Sequence, residues 1–355
     1  MKRIRIGLVG LGWVSTHRHI PALRRNSRYQ IVGVADRNEN LARAWAQKLK
    51  VPHSTASAIS DIAWMDAADA IDVVTAPMSH HGLVLGALSA GKHVITEKPF
   101  AMTVAEGEEL VALAGQRDRR LAIVHNFQFA SSVQRLERDL KAGRLGRIRS
   151  IVAFQWGNPS RRLPVWYDQL PAGLFFDESP HLLYLLRRLA PGVLRLVNVD
   201  SCPSTLGHAT PASIDASFRA HHHGCEIPVT VSFRFEAPVS EWHVAVLCDG
   251  GAGIVDVFRN IYLRLPNDGT HSTLTVLRTS LRATSMHWFQ HLTNGPRHLT
   301  GRLLYGNERV FDRFADAIAN GQSPKDIDGV DALAVLRMQF AIMNAMTPPP
   351  AVTSD

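Results

Sequence analysis

Short runs of branched apolar residues alternate with segments of helical period over the first third of the chain. Residues 4–9 show little polar alternation, as a strand buried on both faces does. Gly10-Leu11-Gly12-Trp13-Val14-Ser15 follows, then a helical stretch to about Arg25. Further strands are predicted at 31–35, 71–74, 94–95 and 121–124, and helices at 41–49, 81–90 and 104–116. Strands of this length alternating with helices predict an α/β fold with a parallel, doubly wound sheet.

The rhythm changes after about residue 125. A helix is predicted at 133–142, followed by strand-like runs at 148–155, 214–220, 229–235 and 243–247, separated by turn signals such as Asp249-Gly250-Gly251. A helix at 175–189 lies among them, and amphipathic helices at 309–319 and 329–346 close the pattern. The expected organisation is a Rossmann-type doubly wound domain over 1–125, an α/β domain with a large open, mostly antiparallel sheet over 126–346, and a tail at 347–355.

Composition narrows the class. The chain has 355 residues, 46% of them hydrophobic, which suits two domains and excludes a wholly disordered chain. Three scattered cysteines, Cys202, Cys225 and Cys248, argue against a disulfide framework and fit a reducing compartment. The basic start (Lys2, Arg3, Arg5) precedes an apolar stretch that holds Gly7, Gly10 and Gly12 and leads to no small-residue cleavage site, so a cytoplasmic location is expected rather than secretion. No apolar run reaches the ~18 residues of a membrane helix. The net charge of +8 is spread out, with no zinc finger, RNP motif or basic tail, so no nucleic-acid partner is expected.

Gly10 and Gly12 sit between a strand and a helix, where a tight turn lets the backbone approach a pyrophosphate and the helix N-terminus meets its charge. Trp13 and Val14 continue this loop, and Ser15 stands where a third glycine is usual. Asp36 closes the second strand, where an acid accepts bonds from ribose hydroxyls and repels a 2′-phosphate. NAD is therefore the expected cofactor, with NADP kept open by the adjacent Arg37.

Ala76-Pro77-Met78-Ser79-His80-His81 and Ala90-Gly91-Lys92-His93-Val94-Ile95-Thr96-Glu97-Lys98-Pro99 are unremarkable singly: a strand end, a helix cap, a surface lysine. Together they resemble the Gfo/Idh/MocA family of glucose–fructose oxidoreductase, inositol dehydrogenase and MocA, and the likeness covers nearly the whole length. The resemblance implies that Ala76, Pro77, His81, Glu97 and Lys98 border the cofactor. It also implies that Lys98 lies beside nicotinamide and substrate, and that the Lys98–Pro99 bond is cis.

Asp177 and His181, in Asp177-Glu178-Ser179-Pro180-His181, are four apart and share a helix face. Spacing alone favours a helix cap and a surface histidine. The resemblance instead makes Lys98, Asp177 and His181 the catalytic set, with His181 the acid/base. It implies hydride transfer between nicotinamide and a secondary alcohol or ketone carbon of a sugar, a nucleotide-linked sugar or a cyclitol. The expected site lies where the carboxyl ends of the parallel strands face the second domain. Asn126, Gln128, Trp156, Arg161 and Tyr184 join the three as candidate substrate contacts, although a tryptophan such as Trp156 or Trp166 is more often core.

Two positions depart from the family pattern. Tyr184 stands where many relatives carry an aspartate, and Gln128 where they often carry arginine. Two rival functions remain: a dinucleotide-binding sensor without turnover, and an NAD-dependent glycoside hydrolase. The resemblance also implies a homodimer or homotetramer assembled through the open sheet face. Residues 269–307 hold no Asp or Glu but carry Arg278, Arg282, Arg297 and Arg302 among aromatic and aliphatic residues. Subunit packing or a pocket wall is the expected use, a membrane-surface or partner-binding patch the alternative. Some of these arginines, or Arg161-Arg162, are candidates to meet a substrate phosphate. His287 and His291 have metal-ligand spacing but no nearby carboxylate or thiolate, and the tract 221–223 is read as a hairpin end, so no metal is expected.

Overall fold

The computed structural model describes residues 3–55, 58–222 and 224–346. The predicted tail at 347–355, and His223 of the histidine tract, lie outside them. The chain divides into two compact units, Met1–Asn126 with Gly306–Arg337, and Phe127–Tyr305 with Met338–Asp355.

In the first unit, strands β1 (Ile4–Val9), β2 (Tyr29–Ala35), β3 (His53–Ser54), β4 (Ala70–Val73), β5 (His93–Thr96) and β6 (Leu121–Ile123) form one parallel sheet in the order β3-β2-β1-β4-β5-β6. The order reverses between β1 and β4, the switch point at which Rossmann sheets bind their ligands. A π-helical turn, Ser15–His19, leads into α1 (Ile20–Arg25). The helices α2 (Glu39–Leu49), α3 (His80–Ser89) and α4 (Val104–Gln116) follow. Local chemistry sets their starts. The Asn38 side chain accepts the Leu41 N–H ahead of α2, and Thr103 with Glu106 forms a capping box on α4.

Residues 306–337 pack with this unit, a feature the boundary expected at 125 does not contain. In α8 (Asn307–Asn320), Phe311 and Phe314 are fully buried, and the Phe311 carbonyl accepts the Tyr29 hydroxyl at 2.7 Å. The Ile123 N–H donates to Ile327 O at 2.7 Å. These contacts join segments remote in the chain, so local periodicity carries no trace of them. α9 (Gly329–Ala345) contributes its residues up to Arg337 to this unit and the rest to the second.

The second unit is built on a seven-stranded sheet ordered β13-β12-β11-β7-β10-β9-β8. Its strands are β7 (Ile148–Trp156), β8 (Leu194–Cys202), β9 (Ser213–His222), β10 (Cys225–Arg234), β11 (Glu241–Cys248), β12 (Gly251–Asp256) and β13 (Ile261–Pro266). Only β7 and β10 pair in parallel; the other pairs are antiparallel. Alternation is clean. On β7, Ile151, Ala153 and Gln155 are buried, whereas Val152 and Trp156 are exposed. α6 (Leu174–Leu189) packs on β7 and β10, and α5 (Ser131–Lys141) on β12 and β13. Phe175 of α6 meets Phe233 of β10 edge-on, ring centroids 5.2 Å apart. α7 (Thr273–Leu299) lies along β13. No helix of the described residues is long and apolar enough to cross a membrane.

Candidate active site

The glycine loop has the shape a pyrophosphate needs. Gly10 has φ +94°, and a Cβ added there would stand 2.4 Å from Val74 O. Gly12 is the opposite case: a Cβ added there meets no protein atom within 4 Å. The fold therefore does not require glycine at position 12, but a ligand lying over the loop would. Asp36 holds the loop from the end of β2. Its Oδ2 accepts the Leu11 N–H at 2.8 Å and its Oδ1 the Asn38 N–H at 2.9 Å. Each oxygen retains a second lone pair for a ribose hydroxyl. Arg37 beside it is exposed. Trp13 and Val14 are 45% and 37% exposed on the loop, and the Trp13 ring stacks on His17. Ser15 is fully buried, and among the described residues its Oγ has no hydrogen-bond partner. This set fits a dinucleotide. Gly12→Ala is expected to leave the denaturant midpoint of the free protein unchanged while weakening NAD binding; Gly10→Ala, at positive φ, lowers both. Equal loss of stability in the two variants would contradict the open cradle.

Behind the loop lies a network that the sequence reading did not contain. His19, at the end of the π-helical turn, is fully buried. Its Nδ1 lies 2.9 Å from Asp72 Oδ2 on β4, and its Nε2 2.9 Å from Glu97 Oε1. Burial alone would lower the imidazole pKa, but the two carboxylates outweigh it and raise the pKa to about 10, so His19 is an imidazolium. Burial pushes Asp72 up, with His19 pulling it back. Burial likewise works against ionised Glu97, but the bond and charge of His19, then Lys98, hold it below the usual carboxylate range. Glu97 Oε2 in turn accepts the Lys98 N–H at 3.1 Å. The Lys98–Pro99 bond is cis, as the resemblance implies.

His80, not His81, reaches this segment. The buried His80 has Nδ1 2.8 Å from Pro99 O and Nε2 3.1 Å from Thr75 O. Burial lowers its pKa, while the two carbonyls against its ring nitrogens oppose that shift. His81, expected at the cofactor, pairs instead with Glu109 of α4 at 2.7 Å. Helix phase explains the difference: α3 buries His80, Leu83, Val84, Ala87 and Leu88, and His81 falls about 90° from the middle of that stripe, just past its edge. Pro77 is buried beside Ala76 at the end of this stretch.

In the second unit, α6 carries both Asp177 and His181, one turn apart and each 8% exposed. His181 Nδ1 lies 2.9 Å from the Tyr184 hydroxyl, which also accepts the Phe127 N–H at 3.0 Å. The tyrosine oxygen has two lone pairs, so it can take both donors. In the tautomer in which Nδ1 donates that bond, the imidazole lone pair is on Nε2, the atom that then accepts a proton. The rings of Phe127, Trp242 and Tyr184 surround His181, with centroids 4.8, 5.2 and 5.7 Å away. Trp242 was absent from the expected site; its parity on β11, opposite Gln155 of β7, places it on the covered face.

Pro180 lies inside α6 and has no N–H, so the carbonyl four residues back, Phe176 O, loses its helical donor. Gln339 of α9 supplies the bond: its Nε2 lies 2.8 Å from Phe176 O and 3.0 Å from Ser179 Oγ. Gln339→Leu leaves that buried carbonyl unsatisfied and is expected to cost about 1–3 kcal/mol, read as a lower urea midpoint. An unchanged midpoint would refute the repair.

Trp156, Arg161 and Gln128, expected as substrate contacts, each have partners within the protein. Trp156 projects from the open face of β7 and stacks on Phe154 at 4.7 Å, opposite the face that α6 covers. The strand's period of two separates it from His181. Arg161 is held by Glu178 Oε1 at 2.6 Å and by Asn158 O. Gln128 is buried, and its side-chain carbonyl accepts from Arg188, which also pairs with Glu137. The Tyr184 hydroxyl is bonded to His181. Asn126 is buried at the end of the first unit. Glu241, His243 and Asp256 have carboxylate and imidazole atoms close enough to suggest a metal site. Arg259 already bridges the two carboxylates, at 2.6 and 2.7 Å, and its hydrogen bonds hold Glu241 down to about 2.

Residues 4–125 match a family model described as an oxidoreductase family with an NAD-binding Rossmann fold. Over 321 residues the chain is 30% identical to D-apiose dehydrogenase of Paraburkholderia graminis, covering 87% of this chain and 82% of that protein. It is 30% identical to the uncharacterized oxidoreductase YdgJ of Escherichia coli (strain K12) over 186 residues; that match spans only about half of either chain, 51% of each. The fold is similar to the crystal structure of the WlbA dehydrogenase from Bordetella pertussis in complex with NADH and UDP-GlcNAcA. The TM-score is 0.75 at 20% identity, covering 97% of this chain and 96% of that one.

Proposed function

Because the chain belongs to the Gfo/Idh/MocA oxidoreductase family, we propose that it moves a hydride between a nicotinamide and a secondary alcohol or ketone carbon of a sugar-like substrate, with His181 as its acid/base. The observation that carries this reading is the buried imidazole of His181, bonded through Nδ1 to the Tyr184 hydroxyl and set among the rings of Phe127 and Trp242. The first unit would hold the dinucleotide on Gly10, Gly12 and Asp36, and when bound it supplies the hydride acceptor or donor. His181 takes the hydroxyl proton on oxidation and returns it on reduction. The Lys98 ammonium stabilises negative charge developing on the substrate oxygen, and Asp177 orients the reacting groups. Asp36 favours NAD over NADP. Sugars and nucleotide-linked sugars are the substrate class, as the names of the relatives suggest, and assembly of copies through the open sheet face completes the proposal.

The test is near-ultraviolet absorbance of the full chain with NAD and a panel of sugars, cyclitols and nucleotide-linked sugars. Net NADH formation on one of them is expected. Glycoside cleavage without net NADH would replace the dehydrogenase reading with a hydrolase. Silence on every compound, together with tight NAD binding, would replace it with a sensor.

A further inference from the structure

α7 is turned inside out. It runs for 27 residues, about 40 Å, yet its two buried side chains are polar, Gln290 and Asn294. Gln290 Oε1 accepts the Tyr262 N–H and its Nε2 donates to Tyr262 O, both at 2.8 Å; Asn294 Nδ2 donates to Asn260 O at 2.8 Å. The helix is thus docked on β13 by amides that satisfy backbone groups. Most of its exposed apolar residues point the other way. Leu274, Leu277, Leu281, Trp288, Leu292 and Leu299 are 54–87% exposed. At 100° per residue they share a sector of about 60° on the side away from Gln290 and Asn294. Arg278 and Arg282 border this stripe along one edge, and His287, His291 and His298 along the other.

The charge around the stripe identifies what covers it. Residues 269–307 contain no carboxylate. Arg278, Arg282, Arg297 and Arg302 lie in no ion pair among the described residues, although twenty or more other cations of the chain do. A second copy of the stripe would meet it with cations again and no acid, so self-pairing opposes like charges. An apolar face with an aromatic residue, edged by unpaired arginines, matches instead the boundary between acyl chains and anionic headgroups. There leucines and Trp288 enter the interface while guanidiniums reach phosphates. We propose that the outward stripe of α7 is a docking surface for an anionic phospholipid bilayer, on which the helix lies flat without crossing.

The test is flotation of the full chain with vesicles of equimolar phosphatidylglycerol and phosphatidylcholine, beside vesicles of phosphatidylcholine alone. The protein is expected to float with the anionic vesicles, to stay behind with the neutral ones, and to be released as salt rises. Leu281→Glu with Trp288→Glu, both at exposed positions, abolishes flotation. Arg278→Gln with Arg282→Gln weakens binding roughly thirtyfold, the effect of removing two surface cations. The denaturant midpoint of each variant, equal to that of the parent, shows that folding is intact. Three outcomes would overturn the proposal: no flotation at low salt, equal flotation with both vesicles, or a double-glutamate variant that still floats. A fall in mass by light scattering for that variant, with flotation unchanged, would identify the stripe as a subunit contact.

Discussion

Replacing His181 with asparagine is expected to lower turnover roughly 10²- to 10⁴-fold, the range that a positioned acid/base contributes, while dinucleotide affinity holds. Asparagine keeps a donor near the Nδ1 position for Tyr184 but has no nitrogen that can accept a proton, so the change removes chemistry more than architecture. Tyr184→Phe is the informative companion. It leaves the imidazole in place but deletes the oxygen bonded to Nδ1 and to the Phe127 N–H. Turnover then falls less than in His181→Asn, and the acidic limb of the pH–rate profile moves, because the imidazole loses its hydroxyl partner. Stopped-flow absorbance near 340 nm, the ordinary NADH band, gives both rates. Full turnover in His181→Asn would remove the residue from the mechanism.

The sheet of the first unit was legible because each of its longer strands has a stretch buried on both faces, which writes its own apolar run. β3, with two residues, writes none. Asp177 and His181 were legible only through the family likeness, since their spacing also describes a surface helix. His19 was missed, yet a signal existed. Asp72 interrupts a run of four buried residues in β4, and a carboxylate there demands a buried cation. Naming that cation required the fold, because His19 and Glu97 reach it from other segments. Gln339 is the same kind of case: Pro180 announces a carbonyl without its donor, but the replacement comes from α9. Trp156 failed for a local reason, since one step along a strand changes the face. The stretch 269–307 was read for its charge and not for its helical phase, and only the phase shows its polar side turned inward.

The buried Asp72–His19–Glu97 network gives the protein a dependence on pH that a Rossmann fold does not otherwise need. His19 has an ordinary pKa near 6.5 when the chain is unfolded, and about 10 when folded. Below about pH 6.5 both states bind the proton, so its contribution to stability is fully present. Between 6.5 and about 10 only the folded state binds it, and stability falls as pH rises, with a slope approaching about 1.4 kcal/mol per pH unit for one proton. Asp72 and Glu97 face the ring, and Lys98 lies beyond Glu97; burial shifts Asp72 upward, whereas His19 and Lys98 hold Glu97 below the usual carboxylate range. Urea midpoints of the wild type are therefore expected to decline across this window. His19→Gln keeps two hydrogen-bonding positions but no positive charge, leaving two carboxylates buried without their cation. It is expected to lose about 3–5 kcal/mol near neutrality, and the alkaline slope with it. Comparing the two proteins cancels surface lysines and tyrosines that titrate near pH 10 in both. Parallel pH profiles would mean that His19 is neutral in the folded protein and that the two carboxylates share a proton instead.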